Sequence, residues 1–180
     1  MTEVMTEPKH VTIVQLNEAA LTALADGDIV AANQESPVEL TPYCAGSHWS
    51  SVWRRRSEQV ATDPASAAWI TGIVWDDDRR LVVGRAGFHG PPDGDGRVEV
   101  GYAIDPAHRR RGYARAALEL MLDRAARDPR VRVVRATVSP TNLASRNLVR
   151  QYGFVEVGEQ WDDEDGVETI YELTPGGART

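Results

Sequence analysis

The sequence predicts a single α/β domain, and three observations predict it. A chain of 180 residues that is 42% apolar and 26% charged has the composition of a globular protein and can bury a sizeable core. Three strand-like runs, Ala68–Trp75, Leu81–Phe88 and Arg97–Asp105, follow one another through turn-rich connections and imply an antiparallel meander. A strongly periodic helix over 112–128 then begins at once and is followed by a strand, a helix and a hairpin. No internal repeat, low-complexity segment or linker divides the chain.

Taken in order, residues 1–9 read as a disordered leader and the residues from Pro175 as a loose tail, which leaves 10–174 for the domain. Val11–Val14 forms a strand, and a helix runs from Asn17 to Ala25 with Asn17 as its cap. Residues 26–43 have few periodic apolar positions and read as loop with a short helix, and Ser47–Val60 forms a further helix. Its run Arg54-Arg55-Arg56 is expected on a solvated face, while Trp49, Trp53 and Trp69 either pack or line a cleft. Asp76 to Arg80 suits the first hairpin turn and Gly90 to Gly96 the second. Pro106 ends the third strand because it has no N–H to donate. In the 112–128 helix, Ala114, Ala117, Leu118, Met121, Leu122 and Ala125 form one apolar stripe, opposite Arg115, Glu119, Asp123 and Arg127. Val131–Val138 is a strand, Leu143–Tyr152 a helix closed by Gly153, and Phe154–Trp161 with Val167–Leu173 a terminal hairpin.

Composition narrows the function. A net charge of −7 argues against general affinity for nucleic acid, so an anion site has to be local. No apolar run reaches the length that spans a bilayer, and the first residues lack the pattern of a secretory signal, so a cytoplasmic protein with no membrane partner is expected. One cysteine, Cys44, excludes an intramolecular disulfide and is expected to be a small half-buried side chain. The Cys and His residues have no zinc-ligand spacing, and no metal is expected.

The chemistry concentrates between Val98 and Arg115. A strand stops at Pro106, a short basic loop with a glycine follows, and an amphipathic helix starts immediately. That order points backbone N–H groups and the positive end of a helix dipole at one spot, where an anion belongs. Gly112 allows the backbone to approach a diphosphate, Ala114 keeps the first turn slim, and Arg109, Arg110, Arg111 and Arg115 bring charge suited to phosphate oxygens. On the loop alone, an exposed basic turn is an equal alternative. Neither GxxxxGK(S/T) nor a GxGxxG after a strand occurs here.

The segment Arg109-x-x-Gly112-x-Ala114 instead matches the (Q/R)xxGx(G/A) loop of the GNAT superfamily of acyl-CoA N-acyltransferases. Gly101-Tyr-Ala-Ile-Asp-Pro106 resembles the strand before that loop, and Asn142-x-x-Ser145 with Gly153-Phe154 the next helix and strand. The resemblance covers about 100 residues, from Leu81 to the C-terminus, and is greatest to the ribosomal-protein-type branch. It implies a mixed, strongly twisted, mostly antiparallel sheet with helices on both faces, and acetyl-CoA as co-substrate held at the loop.

By the same resemblance, backbone groups of Tyr102, Ala103 and Ile104 bind pantetheine as an added strand. Arg109, Arg110, Arg111, Gly112, Tyr113, Ala114, Arg115, Asn142 and Asn147 then complete the coenzyme site. Glu99 takes the amine's proton, or is only a surface carboxylate; alternation along its strand puts it on the less bulky face. Asn142 caps its helix in either reading. Ser145 is a candidate donor to the departing thiolate, because Val149 stands where many relatives have a tyrosine. Tyr152 is expected to pack against the core, and the acidic run 162–165 either forms a solvated turn or attracts a cation. The expected activity is acyl transfer, most simply of acetyl, to a primary amine of a small molecule or peptide within a ternary complex, by a monomer or homodimer. The rival is a non-catalytic acyl-CoA-binding or sensing domain. An acetyltransferase acting on aminoacyl-tRNA is disfavoured by the acidic balance.

Overall fold

A computed structural model describes residues 7–176. The remaining residues of the expected leader and tail, 1–6 and 177–180, lie outside the described residues. The strands are β1 (Val11–Val14), β2 (Gly72–Asp76), β3 (Leu81–Phe88), β4 (Arg97–Ile104), β5 (Val133–Val138), β6 (Val155–Asp162) and β7 (Gly166–Leu173). The α-helices are α1 (Glu18–Ala25), α2 (Ile29–Glu35), α3 (Ser50–Thr62), α4 (Tyr113–Arg127) and α5 (Leu143–Gln151). The strands hydrogen-bond in the order β1-β2-β3-β4-β5-β7-β6. The pairs β1·β2, β2·β3, β5·β7 and β6·β7 are antiparallel, and β4·β5 is parallel. This is the mixed, mostly antiparallel α/β class expected.

The chain groups into two compact units. The first contains the residues up to Gly87 together with Tyr102–Leu118. Its helices start where the sequence supplies caps: Asn17 accepts from the Ala20 N–H at 2.8 Å, and Asp28 from Ala31 at 2.9 Å. Leu21 and Leu24 of α1, Trp53 of α3 and Ile73 of β2 belong to one buried apolar cluster. Cys44 sits in the same cluster, more deeply than expected, and burial pushes its thiol pKa up.

The second unit contains Phe88–Gly101 and the residues from Glu119 onward. Alternation along β5 buries Val134, Ala136 and Val138, and Val149 of α5, Phe154 and Tyr171 are buried as well. Asn142 caps α5 by accepting from the Ser145 N–H at 3.1 Å.

Three expectations are corrected. The strand expected from Ala68 begins only at Gly72, because Pro64–Ala68 winds into a 3₁₀ turn that Asp63 caps by accepting from the Ala65 N–H. Asp76 is not a turn residue but the buried last residue of β2. Arg56 does not face solvent: it is 5% exposed, and its guanidinium donates to Thr71 Oγ1 and Gln59 Oε1, each at 3.1 Å. Helical rotation separates it from the exposed Arg54 and Arg55. Of the tryptophans, Trp53 and Trp69 are core residues, and the Trp53 indole donates to the Cys44 carbonyl. Trp49 is half-buried under the Arg85 guanidinium, 3.9 Å from the ring centroid.

Replacing Arg56 by Ala should therefore cost about 2–4 kcal/mol in urea unfolding, since a buried hydrogen-bonded side chain is removed, whereas Arg55→Ala should stay within about 0.5 kcal/mol. Equal midpoints for the two variants would contradict the burial of Arg56.

Candidate active site

The loop between β4 and α4 lies in the first unit. Asp105 anchors its start: the Asp105 N–H donates to the Val83 carbonyl at 2.9 Å, and its carboxylate accepts from the Ala107 N–H at 2.9 Å. The Arg109 side chain folds back to donate to the Ile104 carbonyl at 3.0 Å. The backbone then passes through the left-handed region twice, at Arg110 (φ 61°) and Gly112 (φ 89°). Glycine tolerates that conformation freely, whereas arginine adopts it at a cost, which is common where a loop is shaped for a ligand. The Gly112 carbonyl accepts the Ala116 N–H at 3.0 Å, so the helix is under way at the glycine. A helix start leaves its first N–H groups without intrahelical partners, and the dipole favours an anion there. Arg109, Arg110, Arg111 and Arg115 are all exposed around this turn.

Tyr113, the first residue of α4, is 1% exposed. Its hydroxyl donates to Asp76 Oδ2 at 2.5 Å, and Asp76 Oδ1 accepts the N–H groups of Asp78 at 3.0 Å and Arg79 at 2.8 Å. Burial alone would raise the Asp76 pKa, but these three donors outweigh it and hold the carboxyl below its ordinary 3.8. Burial and the Asp76 carboxylate push the Tyr113 hydroxyl upward. The interaction spans 37 residues of sequence, and no local pattern announces it.

In the second unit, Val98 and Val100 are buried while Glu99 is half-buried, as alternation along β4 predicts. Further along the strand Ile104 is buried and Tyr102 is half-buried. Glu99 Oε1 accepts from Thr137 Oγ1 at 2.7 Å, and His89 Nδ1 lies 3.6 Å from the same oxygen. Thr137 was absent from the sequence reading, although its period-2 position on β5 puts it on the same face as Arg135. The parallel ladder of β4 and β5 runs from Arg97↔Val133 to Val100↔Ala136, and β4 continues beyond it to Ile104.

On α5, Ser145 is half-buried and Asn142 and Asn147 are exposed. Val149 is fully buried, and its side chain offers no donor. Tyr152 does more than pack: its ring is half-buried and its hydroxyl donates to Glu119. The acidic turn is locally satisfied, with Asp162 Oδ1 accepting the N–H groups of Glu164 at 2.8 Å and Asp165 at 2.9 Å. Among the described residues no group of three or more His, Cys, Asp and Glu side chains could hold a metal ion, and no helix is long and apolar enough to cross a membrane.

The acetyltransferase (GNAT) domain family matches residues 11–155, most of the chain and all of the loop just described. The chain belongs to the GNAT family. An uncharacterized N-acetyltransferase of Bacillus subtilis (strain 168), YjdG, is 32% identical over 83 residues, 46% of this chain and 49% of that protein. The chain thus spans about half the length of the curated relative it matches. Among solved structures, RimL, a ribosomal-protein acetyltransferase in complex with coenzyme A, shares the fold at a TM-score of 0.65 and 14% identity, over 97% of this chain and 99% of that one. A chimera of the spermidine N-acetyltransferase SpeG from Vibrio cholerae and hSSAT has a TM-score of 0.63 and 18% identity, over 92% of this GNAT chain and 95% of its own.

Tyr113→Phe should lower stability at neutral pH by about 1.5–3 kcal/mol, because it removes a donor from a buried carboxylate. The Asp76 pKa is depressed in the fold, so its contribution is present above the unfolded value near 3.8 and is lost as pH falls through the folded value. The gap between parent and variant should therefore narrow below about pH 4 in urea titrations. A gap independent of pH would contradict the Asp76 pairing.

Proposed function

We propose that the chain transfers an acetyl group from acetyl-CoA to a primary amine within a ternary complex. The observation that carries this reading is the β4–α4 loop, in which Arg110 and Gly112 take left-handed conformations among four exposed arginines at the start of a 15-residue helix. Geometry and charge both suit a diphosphate. When bound, the coenzyme supplies the acyl thioester and a thiolate as leaving group.

The chain's own residues bind, orient and move protons. N–H groups of the 112–115 turn, with Arg109, Arg110, Arg111 and Arg115, hold the diphosphate. Backbone groups of Tyr102, Ala103 and Ile104 hold pantetheine, a reading supported by the ladder to β5 ending at Val100. Asn142 and Asn147 contribute coenzyme contacts, and Ser145 donates to the sulfur. Glu99 takes a proton from the amine, through water or directly, so that a neutral nitrogen attacks. Cys44 is buried and its thiol pKa is pushed up, which makes it a poor covalent nucleophile and favours direct attack. The buried Val149 favours a second reading, an acyl-CoA sensor without turnover.

Acetyl-CoA and desulfo-coenzyme A should both raise the melting temperature, since a ligand selective for the folded state stabilises it by mass action. Gly112→Asp should abolish that shift while Arg55→Ala keeps it, because the first puts a carboxylate and a Cβ where the diphosphate sits. Unchanged melting of the parent at millimolar concentrations of both ligands would remove the coenzyme assignment. Acetyl-CoA-dependent thiol release across a panel of primary amines, including polyamines and peptide N-termini, separates enzyme from sensor.

For Glu99→Gln, acetyl-CoA affinity should persist while turnover falls roughly 10²-fold at neutral pH and partly recovers at high pH, where more of the amine arrives neutral. Parental activity of this variant across pH 6 to 9 would refute the base assignment.

A further inference from the structure

We propose that His89 receives from Glu99 the proton that Glu99 takes from the amine, and that Thr137 holds Glu99 in place to pass it on. The proposal rests on Glu99 being the base. Both helpers address the same oxygen: Thr137 Oγ1 donates to Glu99 Oε1 at 2.7 Å, and His89 Nδ1 stands 3.6 Å from it. Oε2 makes no hydrogen bond among the described residues and is left for the amine.

The ring is held where a relay needs it. The His89 N–H donates to the Glu99 carbonyl at 2.8 Å, which sets the two residues opposite each other across neighbouring backbone. A Cβ at position 101 would lie 3.0 Å from His89 Nε2, so glycine there leaves the imidazole its space. The His89 side chain is 44% exposed against 25% for Glu99, which opens the route from carboxylate to solvent.

The proton count closes without another reactant. Oε2 of Glu99 takes one proton from the ammonium, making a carboxylic acid that must ionise before the next turnover. The proton passes to His89 Nδ1, and the imidazolium then gives one proton to water and returns to the Nε2–H tautomer, so one proton moves from substrate to solvent. Imidazole is intrinsically a stronger base than a carboxylate, which gives the transfer its direction. A distance of 3.6 Å is too long for a hydrogen bond, and a small turn of the ring closes it.

The adjacent Glu99 carboxylate favours a proton on His89. On β7, burial pushes the Glu168 carboxyl up against the hydrogen bond from Gln160, and the charges of Asp162, Asp165 and Glu99 push it further. Arg135, beside Glu99 in the β4·β5 ladder, is engaged by Glu172 at 2.7 Å, and Arg97 lies 3.4 Å from the same carboxylate. Arg97 and Arg135 are thus both engaged by Glu172, and Glu99 is the carboxylate beside His89.

Two measurements test the relay on the full chain. In NMR titrations of the histidine rings, the His89 midpoint should fall by about half a unit or more in Glu99→Gln and stay put in the Glu159→Gln control. With the most active amine from the thiol-release panel, the parental kcat/KM should rise through the His89 midpoint. His89→Gln should lose that inflection and about tenfold in kcat near pH 7. Thr137→Val should lower kcat with acetyl-CoA KM unchanged, and Thr137→Ser should restore it. The relay is overturned if His89 titrates identically with and without the Glu99 carboxylate. It is equally overturned if His89→Gln keeps the parental pH profile while Glu99→Gln is defective. Parental rates in Glu99→Gln would instead remove the base itself, a different failure from that of the relay.

Discussion

The buried hydrogen bond from Tyr113 to Asp76 ties the first residue of α4 to the last residue of β2, and the shape of the basic loop depends on that tie. Three residues separate Arg109, fastened to the Ile104 carbonyl, from Tyr113, fastened to Asp76. Between these anchors the chain has to reverse direction sharply, and it does so by placing Arg110 and Gly112 at positive φ. A glycine in one of the two positions lowers the cost, while the arginine carries strain of order 1 kcal/mol that the anchors have to sustain. The same two anchors fix where the first helical N–H groups point. Affinity for an anion in such a loop comes from orientation set before the ligand arrives, so under the proposed coenzyme assignment the buried Tyr113 phenol contributes to it indirectly.

β4 performs two tasks through one alternation. Its even residues Val98 and Val100 are buried, which fixes the register of the parallel ladder with β5, and the odd residue Glu99 is thereby turned to the opposite face. A slip of one residue would bury the carboxylate and expose the valines. The hydroxyl of Thr137 is set by the same pleat on β5, where Val134, Ala136 and Val138 are buried and Thr137 is not. The apolar packing that stabilises the sheet therefore also aims the acid and its hydrogen-bond donor, and no separate device is needed.

What the sequence disclosed was local. The caps Asn17, Asp63 and Asn142 accept from N–H groups two or three residues ahead, and α4 is written in an apolar stripe, so a window of a few residues suffices to see them. Asp63-Pro64 was such a signal and would have moved the start of β2 to its true place. The loop at 109–114 was legible for the same reason. The residues that escaped are those whose partners are distant in sequence: Asp76 with Tyr113, 37 residues apart, Thr137 with Glu99, 38 apart, and Arg56 with Thr71. Periodicity assigns a side chain to a face but does not say what it meets there. Arg56 makes the point most directly, since three consecutive arginines read as one charged patch until the 100° turn between neighbours sends the third inward.

Under the proposed acetyl transfer, the absence of a phenol on α5 is a smaller defect than it first suggests. Val149 is buried and the Tyr152 hydroxyl donates to Glu119, which leaves Ser145 or water as the donor proposed for the departing sulfur. A thiol with a pKa near 8.5 leaves as thiolate at pH 7 at a cost of about 2 kcal/mol. An alkyl ammonium near 10.4 must first lose a proton, which at the same pH costs about 5 kcal/mol. The larger burden lies with the amine, and it is the one assigned in the proposal to Glu99, Thr137 and His89, which the fold brings together. A serine is adequate for the smaller one, because a thiolate needs solvation more than it needs an acid.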